Sequence, residues 1–184
     1  MRIIAGAWRG TALAALGKGD AGAQLRPTSD RVRESLFSML THHGLIEGAR
    51  VLDLFAGTGA LAFEALSRGA DYAVLVENGR VAQGLISENQ AKLRAKDQTK
   101  VLRQDATKLP IWGELPFDLV FLDPPYGRDM GQKALTVAAA GGWLAKDAMI
   151  VWEEAAPMQA PEGFALEDLR KYGDTHVTLL EFTG

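Results

Sequence analysis

The sequence predicts an α/β fold: a seven-stranded, mostly parallel sheet with helices on both faces and an antiparallel strand at its C-terminal edge. Three observations predict it. From residue 51 onward, short apolar runs alternate with stretches of helical periodicity. A glycine turn, Asp53-Leu54-Phe55-Ala56-Gly57-Thr58-Gly59-Ala60, joins the first apolar run to the first helical stretch of that series. Further on, Asp123-Pro124-Pro125-Tyr126 ends another apolar run, at the kind of strand end where open α/β sheets bind ligands.

Each element follows in order. Residues 1–28 are rich in Gly, Ala and basic residues, with a short strand or hairpin expected around Ile3-Ile4 and Trp8 and a flexible loop over 17–24. They form an arm before a main domain of residues 29–184. Asp30 is a candidate N-cap for a helix reaching about His43, with Val32, Leu36, Phe37, Met39 and Leu40 at helical spacing. Val51 to Phe55 reads as a buried strand, Ala60 to Arg68 as a helix stopped by Gly69. Tyr72 to Glu77 is a second strand and Val81 to about Ala95 its helix. Lys100 to Gln104 and Phe117 to Asp123 are the third and fourth strands, Gly131 to Ala140 a helix, and Ala148 to Glu153 the fifth strand. Phe164 to Lys171 and Thr175 to Phe182 have only Gly173-Asp174 and its neighbours between them, so they close the sheet as an antiparallel pair.

Bulk properties remove several function classes. A chain of 184 residues suits one domain with a sizeable core. It has no cysteine, which excludes disulfides and thiolate metal sites. Its three histidines, two of them adjacent at His42 and His43, lack metal-ligand spacing, so no metal is expected. No apolar run has transmembrane length, and the N-terminus lacks the apolar core of a signal peptide. The expectation is a cytoplasmic protein with no membrane partner. Charge is unevenly placed. Residues 1–33 hold six basic side chains (Arg2, Arg9, Lys18, Arg26, Arg31, Arg33) against two acidic ones, a local charge of +4, while the whole chain carries −3. A basic arm on an acidic body is a pattern that grips phosphates, or else a solvated basic segment.

The site residues sit at strand ends. Two prolines cannot continue a strand, because each fixes φ and lacks an N–H. They hold the Asp123 carboxylate, two carbonyls and the Tyr126 ring rigidly, or they simply end a strand that leaves a tyrosine at the surface. Gly57 and Gly59 let the backbone approach a ligand, and the helix start beyond them offers free N–H groups. The spacing departs from G-x-G-x-x-G, with Leu61 and Ala62 where a third glycine is expected. Asp53 before the turn would oppose a pyrophosphate and welcome an ammonium. Glu77 ends the second strand, where an acid can accept from both hydroxyls of a ribose, or lie at the surface. Asp105 follows the third strand, where it can accept from an adenine amino group or form a turn. Together these acids fall at or just beyond the C-terminal ends of four successive strands.

At these residues the chain resembles the class I S-adenosyl-L-methionine-dependent methyltransferases. VLDLFAGTGALAFEAL is similar to that family's first motif and DPPY to its fourth, the form found in enzymes that methylate amino nitrogens. More narrowly, Arg2-Ile3-Ile4-Ala5-Gly6-Ala7-Trp8-Arg9-Gly10, Leu25-Arg26-Pro27-Thr28-Ser29-Asp30-Arg31-Val32-Arg33-Glu34-Ser35-Leu36-Phe37 and Gly142-Trp143-Leu144 resemble the bacterial 16S rRNA guanine-N2 methyltransferases that modify guanine 966. The resemblance implies a Rossmann-like fold, S-adenosyl-L-methionine as cofactor, and a monomer acting on 16S rRNA of the small ribosomal subunit. It implies a cofactor set of Asp53, Phe55, Ala56, Gly57, Gly59, Glu77, Asn78, Asp105 and Ala106: the glycines at the methionine end, Asp53 near the ammonium, Glu77 on the ribose, and Asp105 with the Ala106 backbone on the adenine. The family often carries charged residues after Glu77, where this chain has Asn78-Gly79. Asp123, Pro124, Pro125 and Tyr126 would hold the target base as the catalytic set, and Arg9, Arg26, Arg31 and Arg33 would clamp RNA phosphates. Trp8 and Phe37 read as packing residues. Rival readings are an adenine-N6 DNA or RNA methyltransferase, which shares the D-P-P-Y logic, a protein-glutamine N-methyltransferase and a nicotinamide-dependent oxidoreductase.

Overall fold

The computed structural model describes residues 1–15 and 29–184. Seven strands form one sheet in the order β3-β2-β1-β4-β5-β7-β6: β1 (Arg50–Leu54), β2 (Tyr72–Val76), β3 (Thr99–Leu102), β4 (Phe117–Leu122), β5 (Leu144–Glu154), β6 (Phe164–Tyr172) and β7 (Thr175–Phe182). The first five run parallel, and β7 pairs antiparallel with both β5 and β6. The C-terminal strand is therefore inserted beside β5, and β6 takes the edge. Among the described residues, four α-helices flank the sheet: α1 (Asp30–His42), α2 (Ala60–Ser67), α3 (Arg80–Leu93) and α4 (Met130–Ala140).

Burial on both faces explains the continuous apolar runs of β1, β2 and β4. On one face Phe37 and Leu40 of α1, Phe63 and Leu66 of α2 and Ile86 and Leu93 of α3 pack on Val51, Leu75 and Phe121. On the other, Ala134, Leu135 and Ala138 of α4 pack on Leu52, Val120 and Ile150, with Trp143 wholly buried below them. Each such leucine or phenylalanine contributes about 1.5–3 kcal/mol of burial. β6 has solvent on one side, and its exposed Leu166 and Leu169 mark the edge.

The arm is a tight hairpin. Arg2 and Ala12 form an antiparallel bridge, and the Ile3 N–H donates to the Thr11 carbonyl at 3.0 Å. Ile3 and Leu13 are buried in the same core as α1 and α2. The expected loop at 17–24, the end of the arm at residue 28, and Arg26 lie outside the described residues. Several element ends differ from the sequence reading by one or two residues, and two differences have a local cause. The N-cap of α1 is Ser29, whose hydroxyl accepts from the Val32 N–H, because the Asp30 carboxylate is occupied by Arg33. β5 begins four residues early, at Leu144, through a register shift opposite β4 between Phe117 and Leu119. Among the described residues, no helix is long and apolar enough to cross a membrane.

Candidate functional site

The parallel strands β1, β2 and β4 end side by side, and their C-terminal residues carry the acids. Leu54 pairs with Val76 on one side and with Leu122 on the other, so the residues that follow, Phe55, Glu77 and Asp123, emerge in one row. The turn after β1 is strained. Phe55 has φ +63°, a conformation that a side chain of this size rarely adopts, and Gly57 and Gly59 follow at φ +58° and +75°. A Cβ on Gly59 would stand 2.6 Å from the Phe63 ring and 2.7 Å from the Leu75 side chain, so the site demands glycine twice over. Strain of this kind costs on the order of 1–3 kcal/mol and concentrates at ligand sites.

Asp53 is buried at the last turn of that strand, where its Oδ2 accepts from the Ala62 N–H at 3.2 Å. Among the described residues it has no cationic partner at ion-pair distance. Burial pushes its carboxyl up to about 7; the Ala62 amide opposes that rise and the Glu77 charge adds to it. A buried carboxylate poised in this way suits an ammonium group. Glu77 is also buried. Its Oε2 accepts from the Gly57 N–H at 2.9 Å and its Oε1 from the Gly79 N–H at 2.6 Å, which fixes both turns that face each other across the strand ends. Ala56 is buried and donates its N–H to the Val76 carbonyl, while Asn78 is exposed.

Asp105 caps a 3-10 turn, Ala106–Lys108, accepting from the Thr107 N–H and hydroxyl through Oδ1. Those bonds hold its carboxyl below the ordinary value. Its turn-forming role is thus real, and Oδ2 stands 4.0 Å from the exposed Lys108 Nζ. Ala106 is buried beside Leu109.

Asp123 is partly buried beyond β4. Desolvation first, then the charges of Glu153, Asp53 and Glu154, push its carboxyl well above the ordinary value. The Tyr126 hydroxyl lies 3.4 Å from Glu153 Oε1 and 3.4 Å from Thr175 Oγ1, and burial raises it to about 12. Pro124 is buried and Pro125 partly so. Glu153, Glu154 and Thr175 are not among the site residues that the sequence suggests. The rule that found the other acids, a carboxylate at the end of a parallel strand, applies equally to the end of β5, where Glu153 and Glu154 stand.

The four arginines separate. Arg9 and Arg31 are exposed and line a cleft of about 320 Å³ between the arm and α1, together with Arg2, Asp30 and Glu34. Arg33 does not face phosphate. Its guanidinium is fully buried; Nη2 donates to the Arg2 carbonyl and to Asp30, both at 2.7 Å, and Nη1 is 3.9 Å from Glu64. The apolar face of α1 turns it inward, toward the equally buried Glu64 of α2. Arg26 lies outside the described residues.

Residues 1–181 match the sequence model of the family described as conserved hypothetical protein 95. The chain is 39% identical to ribosomal RNA small subunit methyltransferase D of Escherichia coli strain K12 over 153 residues, which is 83% of this chain and 74% of that protein. It is 37% identical to the protein of the same name from Haemophilus influenzae over 172 residues, covering 90% of this chain and 86% of the other. The solved structure of yhhF from Escherichia coli has a TM-score of 0.85 at 36% identity and covers 100% of this chain and 98% of that one.

Proposed function

We propose, from the premise that this chain belongs to the family described as conserved hypothetical protein 95, that it methylates ribosomal RNA with S-adenosyl-L-methionine, and that its target is the exocyclic N2 amine of guanine 966 in 16S rRNA. The substrate is the assembled or assembling small subunit, and the enzyme acts as a monomer in the cytoplasm. The names of its relatives support methylation of ribosomal RNA. The observation that carries the chemistry is that Asp53 and Asp123 stand at the ends of neighbouring parallel strands, both desolvated, with the Asp53 charge among those that raise Asp123.

The residues present fit the cofactor. Asp53, buried without a cation among the described residues, would take its ammonium. Gly57 and Gly59 would let its methionine end approach the backbone. Glu77 would take the ribose hydroxyls on the lone pairs that the two amides leave free, and Asp105 Oδ2 with the Ala106 backbone would take the adenine. Bound there, the sulfonium supplies an electrophilic methyl group. Phe55, Ala56 and Asn78 complete the same rim.

Asp123 and the Pro124 carbonyl would accept the two N–H groups of the guanine amine. Those bonds would draw the nitrogen toward a pyramidal shape and free its lone pair to act as a nucleophile. Positive charge that grows on the nitrogen during transfer would stand beside the Asp123 carboxylate, which would stabilise it. The surplus proton then leaves nitrogen toward that carboxylate. Tyr126, its hydroxyl held near Glu153 and Thr175, would stack on a base displaced from its helix. Arg9 and Arg31, exposed on the arm and α1, would grip phosphates.

The test is transfer of tritiated methyl from S-adenosyl-L-methionine to small subunits from a strain lacking this enzyme, followed by nucleoside analysis. N2-methylguanosine at position 966 is the expected product. N6-methyladenosine would replace the guanine reading with the adenine one.

A further inference from the structure

We infer that Asn89 is a positioning residue that couples the basic arm to the glycine turn, so that cofactor and RNA each tighten the binding of the other; this rests on the proposed function. Asn89 lies on the inner face of α3 with Ala82, Ile86 and Leu93, in a stripe that is otherwise apolar, and its side chain is wholly buried. Its Oδ1 accepts from the Ala14 N–H at 2.7 Å, and its Nδ2 donates to the Thr58 carbonyl at 3.0 Å. Burying an amide in a core is unfavourable unless both of its ends are bonded. Here one end is bonded to the arm and the other to the turn between Gly57 and Gly59.

The rest of the arm makes this junction stiff. Ile4 and Ala5 donate their N–H groups to the Glu64 carboxylate at 2.7 and 3.1 Å, and the Ser67 hydroxyl donates to the Ala5 carbonyl at 2.6 Å. Gly6 lies so close to α2 that a Cβ would fall 1.7 Å from the Ser67 carbonyl oxygen. The arm that carries Arg2 and Arg9 is thereby fixed to α2, the helix whose N-cap is Gly59. At the turn itself the Thr58 hydroxyl also meets the Met1 sulfur at 3.7 Å. A ligand that orders Thr58 therefore orders the Asn89 amide, which orders Ala14, without direct contact between the ligand and the arm. Coupling between two sites is reciprocal, so RNA held by the arm must strengthen cofactor binding by the same factor.

The experiment measures four dissociation constants: S-adenosylhomocysteine by calorimetry with and without saturating RNA, and small subunits carrying unmethylated 16S rRNA by filter binding with and without saturating S-adenosylhomocysteine. In the wild type each ligand should tighten the other by about tenfold. Asn89→Asp retains an acceptor for Ala14 and sets an oxygen against the Thr58 carbonyl. It should bind subunits alone as the wild type does, weaken S-adenosylhomocysteine several-fold, and lose the coupling. Asn89→Ala should lose it too. If either folded variant keeps the wild-type factor, or if the wild type binds both ligands independently, the inference is wrong while the proposed function stands. If S-adenosylhomocysteine or the subunit does not bind the wild type at all, the proposed function fails and takes the inference with it. Amide exchange on the wild type decides the matter without variants. S-adenosylhomocysteine should protect Ala14 as well as the turn, and protection of the turn alone would overturn the coupling.

Discussion

The Gly57 N–H donates to the Glu77 carboxylate across 2.9 Å of buried space. This bond ties the turn after β1 to the end of β2, and the second oxygen of the same carboxylate ties in Gly79. Glu77→Gln leaves one of these amides facing a donor. An unsatisfied buried donor costs about 1–3 kcal/mol of stability, and where cofactor binding must re-form the turn the same cost weakens S-adenosylhomocysteine by roughly 5- to 150-fold in calorimetry. Unchanged affinity would remove Glu77 from the cofactor site.

Arg31 and Arg33 are two residues apart in the sequence and should fail in opposite ways. Arg31 is exposed, so Arg31→Gln should leave stability within about 0.5 kcal/mol and reduce the salt slope of RNA binding by about one. Arg33→Met strips the buried cation from between Asp30 and Glu64. Breaking such a network costs about 3 kcal/mol, which is a fall of roughly 6–12 °C in Tm for a domain of this size. Thermal scans and filter binding over a salt series separate the two effects. A loss of RNA affinity without loss of stability in the Arg33 variant would restore it to the RNA surface.

Asp123→Ala removes the acceptor proposed for the amine and one negative neighbour of Asp53. Methyl transfer should fall by roughly 100-fold or more. S-adenosylhomocysteine affinity should hold, because Asp53, Glu77 and Asp105 are untouched. A single-turnover assay with tritiated cofactor, run beside calorimetry, reads both quantities. Wild-type transfer in this variant would remove Asp123 from catalysis.

The parallel sheet was legible because strands buried on both faces leave continuous apolar runs, and the prolines and glycines between them punctuate clearly. The strand-end acids were legible for the same reason: a charge that interrupts an apolar run has few structural explanations. Arg33 was not legible. A charged residue on a helix ordinarily reads as solvated, and its buried partner Glu64 belongs to another helix. Asn89 hid in an apolar stripe because its two partners, Ala14 and Thr58, are far apart in sequence and meet only through the arm's docking. The start of β5 was obscured by exposed Lys146 and Asp147, with Asp147 at φ +62°, where the register shift breaks the apolar run.

Asp53 contributes a pH dependence of its own. Its folded value of about 7 lies above the ordinary 3.8, so between these limits the native state holds a proton that the unfolded chain has lost. The stability this gives is fully present below about pH 4 and lost as pH rises through about 7, on the order of 4 kcal/mol across the window. The Tm of the free protein should decline over that range for this group, and the decline should shrink in Asp53→Asn. Ligand binding has the opposite sign. An ammonium beside Asp53 favours the ionised carboxylate, so binding below pH 7 must expel a proton. The affinity for S-adenosylhomocysteine should therefore rise about tenfold between pH 6 and pH 8. Calorimetry in buffers of different ionisation enthalpy should show close to one proton released at pH 6 and few at pH 8. In Asp53→Asn the affinity should be lower and flat with pH, and a wild type that binds with no proton release at pH 6 would place the ammonium elsewhere.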